Sequence, residues 1–406
     1  MRPPKVYSID EHKIPAYKID KQAYYIIEKL RSSGFIAFLV GGSVRDLLLG
    51  VRPKDFDIST SAKPEDIKNL FKKNCILIGR RFRLAHVRFG KKILEVSTFR
   101  AGETEEATLI LRDNVWGSPE KDVLRRDFTI NGLFYDPEVQ TIIDYVDGYT
   151  DIEKKILRTI GDPVTRFIQD PVRMIRLVKF KARFDFLIEE ETFNAMLKCK
   201  NEIIKSSPNR IFEELLRMLE SGSAKRFFQL LTKYEILNIL SPGLAAFLQK
   251  NNKVYELLDI VDLYNRKNHL QTLDRAILIS VLIFFILESN LTKNFIEKNI
   301  PIHLGIILQE TRNTLDKIFF PFFQIPKKLK TDVSSILANQ FRIMPLIKPS
   351  YQHIKIPKDP LFKLALDFFN LRSSQNPDLL KIYTLWNEKF VESHNKKRNF
   401  FKKSYG

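Results

Sequence analysis

The sequence predicts an α+β chain, with a small mixed sheet carrying helices near its start and an all-helical remainder. Three observations carry this. From 35 to 99, short apolar runs alternate with helical patterns and end in a hairpin signal at Gly90-Lys91. Beyond 189, helical spacing dominates and strand signals are few. The length of 406 residues exceeds one usual domain.

Residues 1–19 are polar, with Pro3, Pro4 and Pro15, and read as an extended arm. Asp20 caps a helix through Leu30 that Gly34 ends. Phe35–Val40 reads as a buried strand breaking at Gly41-Gly42. Ser43–Leu49 is a short helix, with Gly50 at a left-handed C′ position. Lys54–Ile58 returns as a strand. Pro64-Glu65-Asp66 opens a helix to about Lys73, proline and acids both suiting a first turn. Cys75–Ile78 is a short strand, and Leu84–Phe89 pairs with Lys92–Phe99. Residues 100–118 read as a flexible loop of the kind that covers phosphate sites. Gly132–Tyr135 and Thr141–Val146 form a second hairpin, and Asp147-Gly148 begins a hinge-like turn. Asp170 fits an N-cap, with Pro171 at N1 of a long helix. Ser207-Pro208-Asn209 starts another, followed by helices around 225–240, 253–265, 271–288, 303–318 and 360–372. No 20–50-residue repeat is evident.

Composition narrows the partners. Lys and Arg number 67 against 48 Asp and Glu, a net charge of +19. That excess favours a polyanion, nucleic acid ahead of a membrane surface, although lysine-rich solvated faces give the same count. Two cysteines, Cys75 and Cys199, exclude a disulfide framework or zinc spacing and fit a reducing cytoplasm. MRPPKVYSIDEHK has no apolar h-region, so no signal peptide is read. Ile277–Leu287 is too short an apolar run to span a bilayer and reads as a buried helix; no membrane partner is expected.

The chemistry centres on LVGGSVRDLLLGVRPKDFD, residues 39–57. On a strand, residues i and i+2 face the same way, so Asp55 and Asp57 share a face. Paired carboxylates repel unless a cation sits between them, and Mg²⁺ takes such ligands while leaving room for phosphates. Upstream, Gly41-Gly42 permits close backbone approach, and a helix start at Ser43 offers N–H groups to an anion. The order suggests metal-assisted phosphoryl or nucleotidyl transfer. Glu95 lies in ILEVSTF; beside the Asp55/Asp57 strand it reaches the pair, otherwise it is an exposed strand glutamate. Arg125, Arg126 and Asp127 in KDVLRRDFTIN form either a phosphate-gripping fork or a surface ion-pair cluster. Asp170, Arg173 and Arg176 either read a base edge or serve as a cap with an i,i+3 pair.

These motifs together resemble the class II polynucleotide nucleotidyltransferases of the polymerase-beta superfamily, which include bacterial poly(A) polymerases and CCA-adding tRNA nucleotidyltransferases. The resemblance implies a polymerase-beta-like head followed by an all-α neck, body and tail. It sets an arm at 1–19, a catalytic head at 20–150, a nucleotide- and RNA-binding neck at 151–240, a helical body with RNA-binding C-terminal part at 241–390, and a basic tail at 391–406. It implies Asp55 and Asp57 as ligands of Mg²⁺, with Mn²⁺ an acceptable substitute, and Glu95 and Asp127 as further catalytic carboxylates. Gly41, Gly42, Ser43, Arg45, Arg125, Arg126, Asp170, Arg173 and Arg176 then hold the nucleotide. RRDFTIN matches the ribose-selecting motif, and QDPVR matches the base-selecting one except for Gln169, where the family mostly has Glu. LIGRRFRLAHV (77–87) and KDPLFKLALDFFNLRSS (358–374) resemble the poly(A) branch, with Arg80, Arg81 and Arg83 offered to RNA. The expected activity is template-independent addition of AMP from ATP to RNA 3′ ends. A CCA-adding enzyme and an inactive RNA-binding homologue are the alternatives.

Overall fold

Short runs of Val, Ile, Leu and Phe pair into one sheet because their alternate side chains have helices to bury against. In the computed structural model the described residues are 3–79, 84–101, 115–268, 272–320, 322–346, 354–374 and 376–404. They fall into two compact units, Met1–Glu202 and Ile203–Gly406.

The strands of the first unit's main sheet are β1 (Lys5–Tyr7), β2 (Ala37–Val40), β3 (Asp57–Thr60), β4 (Cys75–Ile78), β5 (Leu84–Phe89), β6 (Lys92–Thr98), β7 (Leu133–Asp136) and β8 (Thr141–Asp144). Their spatial order is β1-β8-β7-β2-β3-β6-β5-β4. Neighbours are antiparallel except β3 and β6, which run parallel with Ile58 opposite Val96. A small parallel pair, β9 (Ile156–Leu157) and β10 (Leu187–Ile188), lies apart. The helices are α1 (Ile9–His12), α2 (Lys21–Ser32), α3 (Gly42–Leu48), α4 (Pro64–Phe71), α5 (Pro119–Leu124), α6 (Gly148–Lys154), α7 (Pro163–Gln169), α8 (Val172–Phe184) and α9 (Glu190–Cys199). Val40, Phe99, Val123, Phe134 and Ile160 form one buried cluster that ties β2, β7 and α5 together.

Several elements differ from the sequence reading for definable reasons. The arm is extended at Lys5–Tyr7, but it is an edge strand on β8, with Tyr7 stacked 4.0 Å from Tyr149. The strand read at Lys54–Ile58 begins only at Asp57. Its partner β2 ends at Val40, opposite Asp57, and the chain then turns away at Gly41. The long helix expected from Asp170 is α8, but Pro171 holds its N-cap position and Asp170 instead ends α7, a helix not expected from the sequence. Asp162 caps α7, accepting from the Thr165 N–H at 2.7 Å. Gly148 opens α6 in close packing, because a Cβ there would collide with the Thr129 carbonyl.

The second unit is helical: α10 (Pro208–Leu219), α11 (Ala224–Lys233), α12 (Ile236–Leu240), α13 (Pro242–Lys250), α14 (Lys253–Lys267), α15 (Arg275–Leu291), α16 (Leu304–Phe319), α17 (Lys327–Ile343), α18 (Phe362–Ser373) and α19 (Pro377–Ser404). Glu235, at φ 60, divides the helix expected over 225–240. By length and composition Arg275–Ile296 is apolar enough to cross a membrane, yet residues all round α15 are buried, as in a central core helix. Arg372 lies 3.6 Å over the Phe284 ring and donates to Gln340 Oε1 at 3.0 Å.

Candidate active site

The site is built where β2 ends. Gly41 takes φ 67 and ψ −129, a conformation natural to glycine alone. A Cβ there would stand 3.1 Å from Arg126 Nη1, so the turn and that guanidinium are close-packed. The first helical bond of α3 is Arg45 N–H to Gly41 O, leaving the preceding N–H groups outside the ladder. Ser43 uses its hydroxyl differently from expectation. It is buried and donates to Val40 O at 2.9 Å, which leaves its backbone N–H as the group to offer a ligand.

Asp55 and Asp57 are both exposed, while Phe56 and Ile58 between and after them are buried. The alternation holds although Asp55 precedes the strand. Glu95 and Asp57 each lie one residue before the first β3–β6 ladder pair, Ile58 and Val96, and so stand side by side. The charges crowd. Asp57 is pushed up to about 6, first by desolvation and then by Glu95 and Asp55, with Arg126 the opposing cation. Its side chain is open to solvent yet closely surrounded by protein. Desolvation also raises Glu95; Arg100 opposes this and Asp55 adds to it. His86, not singled out in the sequence, pairs with Glu95 across β5–β6, its Nε2 3.9 Å from Glu95 Oε2.

Among the described residues no three His, Cys, Asp or Glu side chains gather closely enough to hold an ion by themselves. Glu95 thus biases the aspartate pair without completing a three-carboxylate cage. The residues still fit a divalent cation, because Asp55, Asp57 and Glu95 are short of positive charge. An ion on Asp55 and Asp57 would take its remaining oxygens from phosphates and water.

Arg126 is the cation that acts on Asp57. Its Nη2 donates to Asp122 Oδ2 at 2.7 Å and to Ser59 Oγ at 3.3 Å, and its carbon lies 5.6 Å over Phe134. Its Nε is buried with no acceptor among the described residues. Arg125, half-buried, is adjacent in the same loop.

Two expected ligands are turned inward. Arg45 is buried, with donors on Asp46 Oδ1 at 2.6 and 2.9 Å and on Asn131 Oδ1 at 2.6 Å. Its carbon lies 5.1 Å and 4.9 Å from the rings of Phe180 and Phe184. These bonds make Arg45 a support for Asn131 rather than a hand for a triphosphate. Asp127 is buried too. It accepts from Asn131 Nδ2 and the Phe128 N–H, both at 2.9 Å, and pairs with Arg176 at 3.4 Å. Burial alone would raise it; Arg176, Asn131 and Arg173 outweigh that and hold it below its ordinary value. Its partners are these groups and not the Asp55/Asp57 pair, so the structure sets it apart from the catalytic carboxylates with which the sequence grouped it.

Arg173 is likewise buried. Its Nη1 donates to Arg166 O at 3.0 Å and its Nη2 to Arg125 O at 3.2 Å. Asp170 sits at the α7–α8 junction, half-buried. Gln169 is buried and accepts from Arg166 Nη1 at 3.1 Å. Arg80, Arg81 and Arg83 lie outside the described residues.

Comparison with known proteins follows the same lines. The family model described as Poly A polymerase head domain matches residues 37–158. One described as the probable RNA and SrmB-binding site of polymerase A matches 185–248. Poly(A) polymerase I of Salmonella typhi is 34% identical over 396 residues, 93% of this chain and 84% of that one. Poly(A) polymerase I of Haemophilus influenzae is 43% identical over 237 residues, 56% of this chain and 52% of its own length. The CCA-adding enzyme of Streptococcus suis is 38% identical over 230 residues, 56% of each chain. The crystal structure of the Bacillus stearothermophilus CCA-adding enzyme with CTP superposes with a TM-score of 0.65 at 26% identity, covering 93% of this chain and 83% of that one.

Proposed function

This chain belongs to the poly(A) polymerase and CCA-adding enzyme family of nucleotidyltransferases, and from that membership we propose that it adds AMP from ATP to RNA 3′ ends without a nucleic-acid template. Nucleotidyl transfer to RNA 3′ ends with release of pyrophosphate is the family's reaction. The choice of polyadenylation is supported by one observation above all. Sequence similarity to Poly(A) polymerase I of Salmonella typhi continues over 93% of the chain, whereas that to the Streptococcus CCA-adding enzyme spans 56%, as does that to Poly(A) polymerase I of Haemophilus influenzae. The CCA-adding reading keeps support of its own from the 38% identity of that shorter match.

In the proposed mechanism Asp55 and Asp57 would hold Mg²⁺ or Mn²⁺, which supplies Lewis-acid stabilisation of the reacting phosphate and of the primer hydroxyl. Glu95 keeps Asp57 electron-rich. The Gly41 turn lets the triphosphate approach the backbone, and Arg126, poised between that turn and Asp57, takes its negative charge. Arg125 shares that grip. Asp127 and Arg176 hold each other beside the ribose-selecting segment, and Asp170 with Arg173 presents the base-selecting junction. The helical residues beyond 185, with Arg80, Arg81 and Arg83, hold RNA through its phosphates. We further assign the neck to 151–240, the body to 241–390 and the tail to 391–406. A cytoplasmic place of action is supported by the two buried free thiols, Cys75 and Cys199.

The test is one labelled RNA primer, and one tRNA lacking its terminal CCA, each offered ATP alone, CTP alone, or the two together, with Mg²⁺. The proposal expects long tails with ATP alone on the primer. Extension that stops after three nucleotides, needs CTP and requires the tRNA supports the CCA-adding reading instead.

A further inference from the structure

Three successive carbonyls of the loop that carries Arg125 and Arg126 are each taken by a donor from the stretch beyond 158. Arg125 O accepts from Arg173 Nη2 at 3.2 Å, Arg126 O from Arg166 Nη2 at 2.9 Å, and Asp127 O from the Ile160 N–H at 3.2 Å. The middle donor is Arg166, on α7, buried at 6% exposure, with its other arm on Gln169 Oε1 at 3.1 Å. Its stem packs on Gly161, where a Cβ would touch Arg166 Cδ at 3.7 Å. Arg166 O in turn accepts from Arg173 Nη1, so the Arg173 guanidinium braces the Arg166 backbone as well as the loop.

Burying two guanidinium groups side by side is costly. Desolvation and then Arg173 press Arg166 down to about 9, with Asp170 opposing. A neutral side chain filling the same space would avoid that cost, so the bonds Arg166 makes need a reason. What it fixes is the peptide plane of Arg126. From that plane the Arg126 side chain reaches Asp122, Ser59 and the Gly41 turn, and lowers the charge burden on Asp57.

We propose that Arg166 is a positioning residue for nucleotidyl transfer: by holding the Arg126 carbonyl it aims the Arg126 guanidinium at the triphosphate, beside Asp57. The proposal rests on the functional reading above. Arg166 touches neither the aspartates nor, on this account, the nucleotide; it acts through Arg126. Its removal and the removal of Arg126 therefore remove the same thing.

The experiment is a double-mutant cycle in the full chain, reading kcat/KM for ATP in primer extension from wild type, R166M, R126A and R166M/R126A, with far-UV spectra to show folding. Each single variant is expected to lose about tenfold or more, and the double variant no more than the worse single one. A residue that only stabilises α7 would give losses that multiply. If R166M does not fold, R166K, which keeps charge and stem but not the two-armed fork, takes its place in the same cycle. Wild-type rates from whichever variant folds, or multiplying losses, overturn the proposal. A wild-type protein that extends no primer would instead sink the functional reading itself.

Discussion

The crowding of Asp57 has a measurable consequence for metal binding. Its carboxyl is pushed up to about 6 from 3.8, by desolvation and by Glu95 and Asp55. A proton and a divalent ion compete for the same oxygens. Apparent affinity is divided by one plus the ratio of proton concentration to acid constant, so the penalty is about 2-fold near pH 6 and about 11-fold near pH 5. An aspartate left at its ordinary value would lose only about 1.1-fold near pH 5. We expect Mn²⁺ titrations of the full chain, followed by calorimetry, to weaken about tenfold between roughly pH 7.5 and pH 5. Asp57→Asn should bind more weakly throughout and lose most of this pH dependence. Affinity constant to within about 1.5-fold over that window, or Asp57→Asn binding like wild type, would refute the reasoning.

Three further outcomes follow. Because the folded-state value of Asp57 is raised, its ionised form costs stability above about pH 6, and that cost fades as pH falls through the window toward 3.8. Asp57→Asn should therefore raise the melting temperature of the metal-free protein near pH 7.5 and change it little near pH 4, while primer extension is lost. Gly41→Ala forces an L residue into φ 67 and puts a methyl 3.1 Å from Arg126 Nη1. It should cost about 1–3 kcal/mol in urea unfolding and lower kcat/KM for ATP, and a variant equal to wild type in both would contradict the packed turn. Arg45→Ala leaves Asp46 buried without its cation and Asn131 without its donor. Its signature should be a loss of about 3–5 kcal/mol in unfolding, with activity falling in step; a variant of normal stability with a raised KM for ATP would restore Arg45 to the triphosphate.

Local signals with one structural solution were legible in the sequence. Gly90 between two alternating runs gave the β5–β6 hairpin to the residue at most ends, and Asp20 caps α2 through Gln22 and Ala23 as its position implies. Exposure alternates at Asp55–Ile58 as read. Pairing partners were not legible. The start of β3 depends on where β2 stops, and the arm strand depends on β8, both contacts between distant residues. Helix spacing also said nothing of depth. Arg173 and Arg45 have the charge of ligand-gripping residues, but only their neighbours show the guanidinium groups turned onto carbonyls, Asp46 and Asn131. Arg166 was missed for the same reason, since an arginine inside an amphipathic turn looks like surface.

The central claim is that Asp55 and Asp57 carry nucleotidyl transfer. Pyrophosphate released per RNA 3′ end, measured for wild type and for Asp55→Asn/Asp57→Asn with Mg²⁺ and ATP, tests it directly. The account predicts turnover by the wild type and a fall of at least about a thousandfold in the folded double variant. Pyrophosphate release by that variant at a rate near wild type would contradict it.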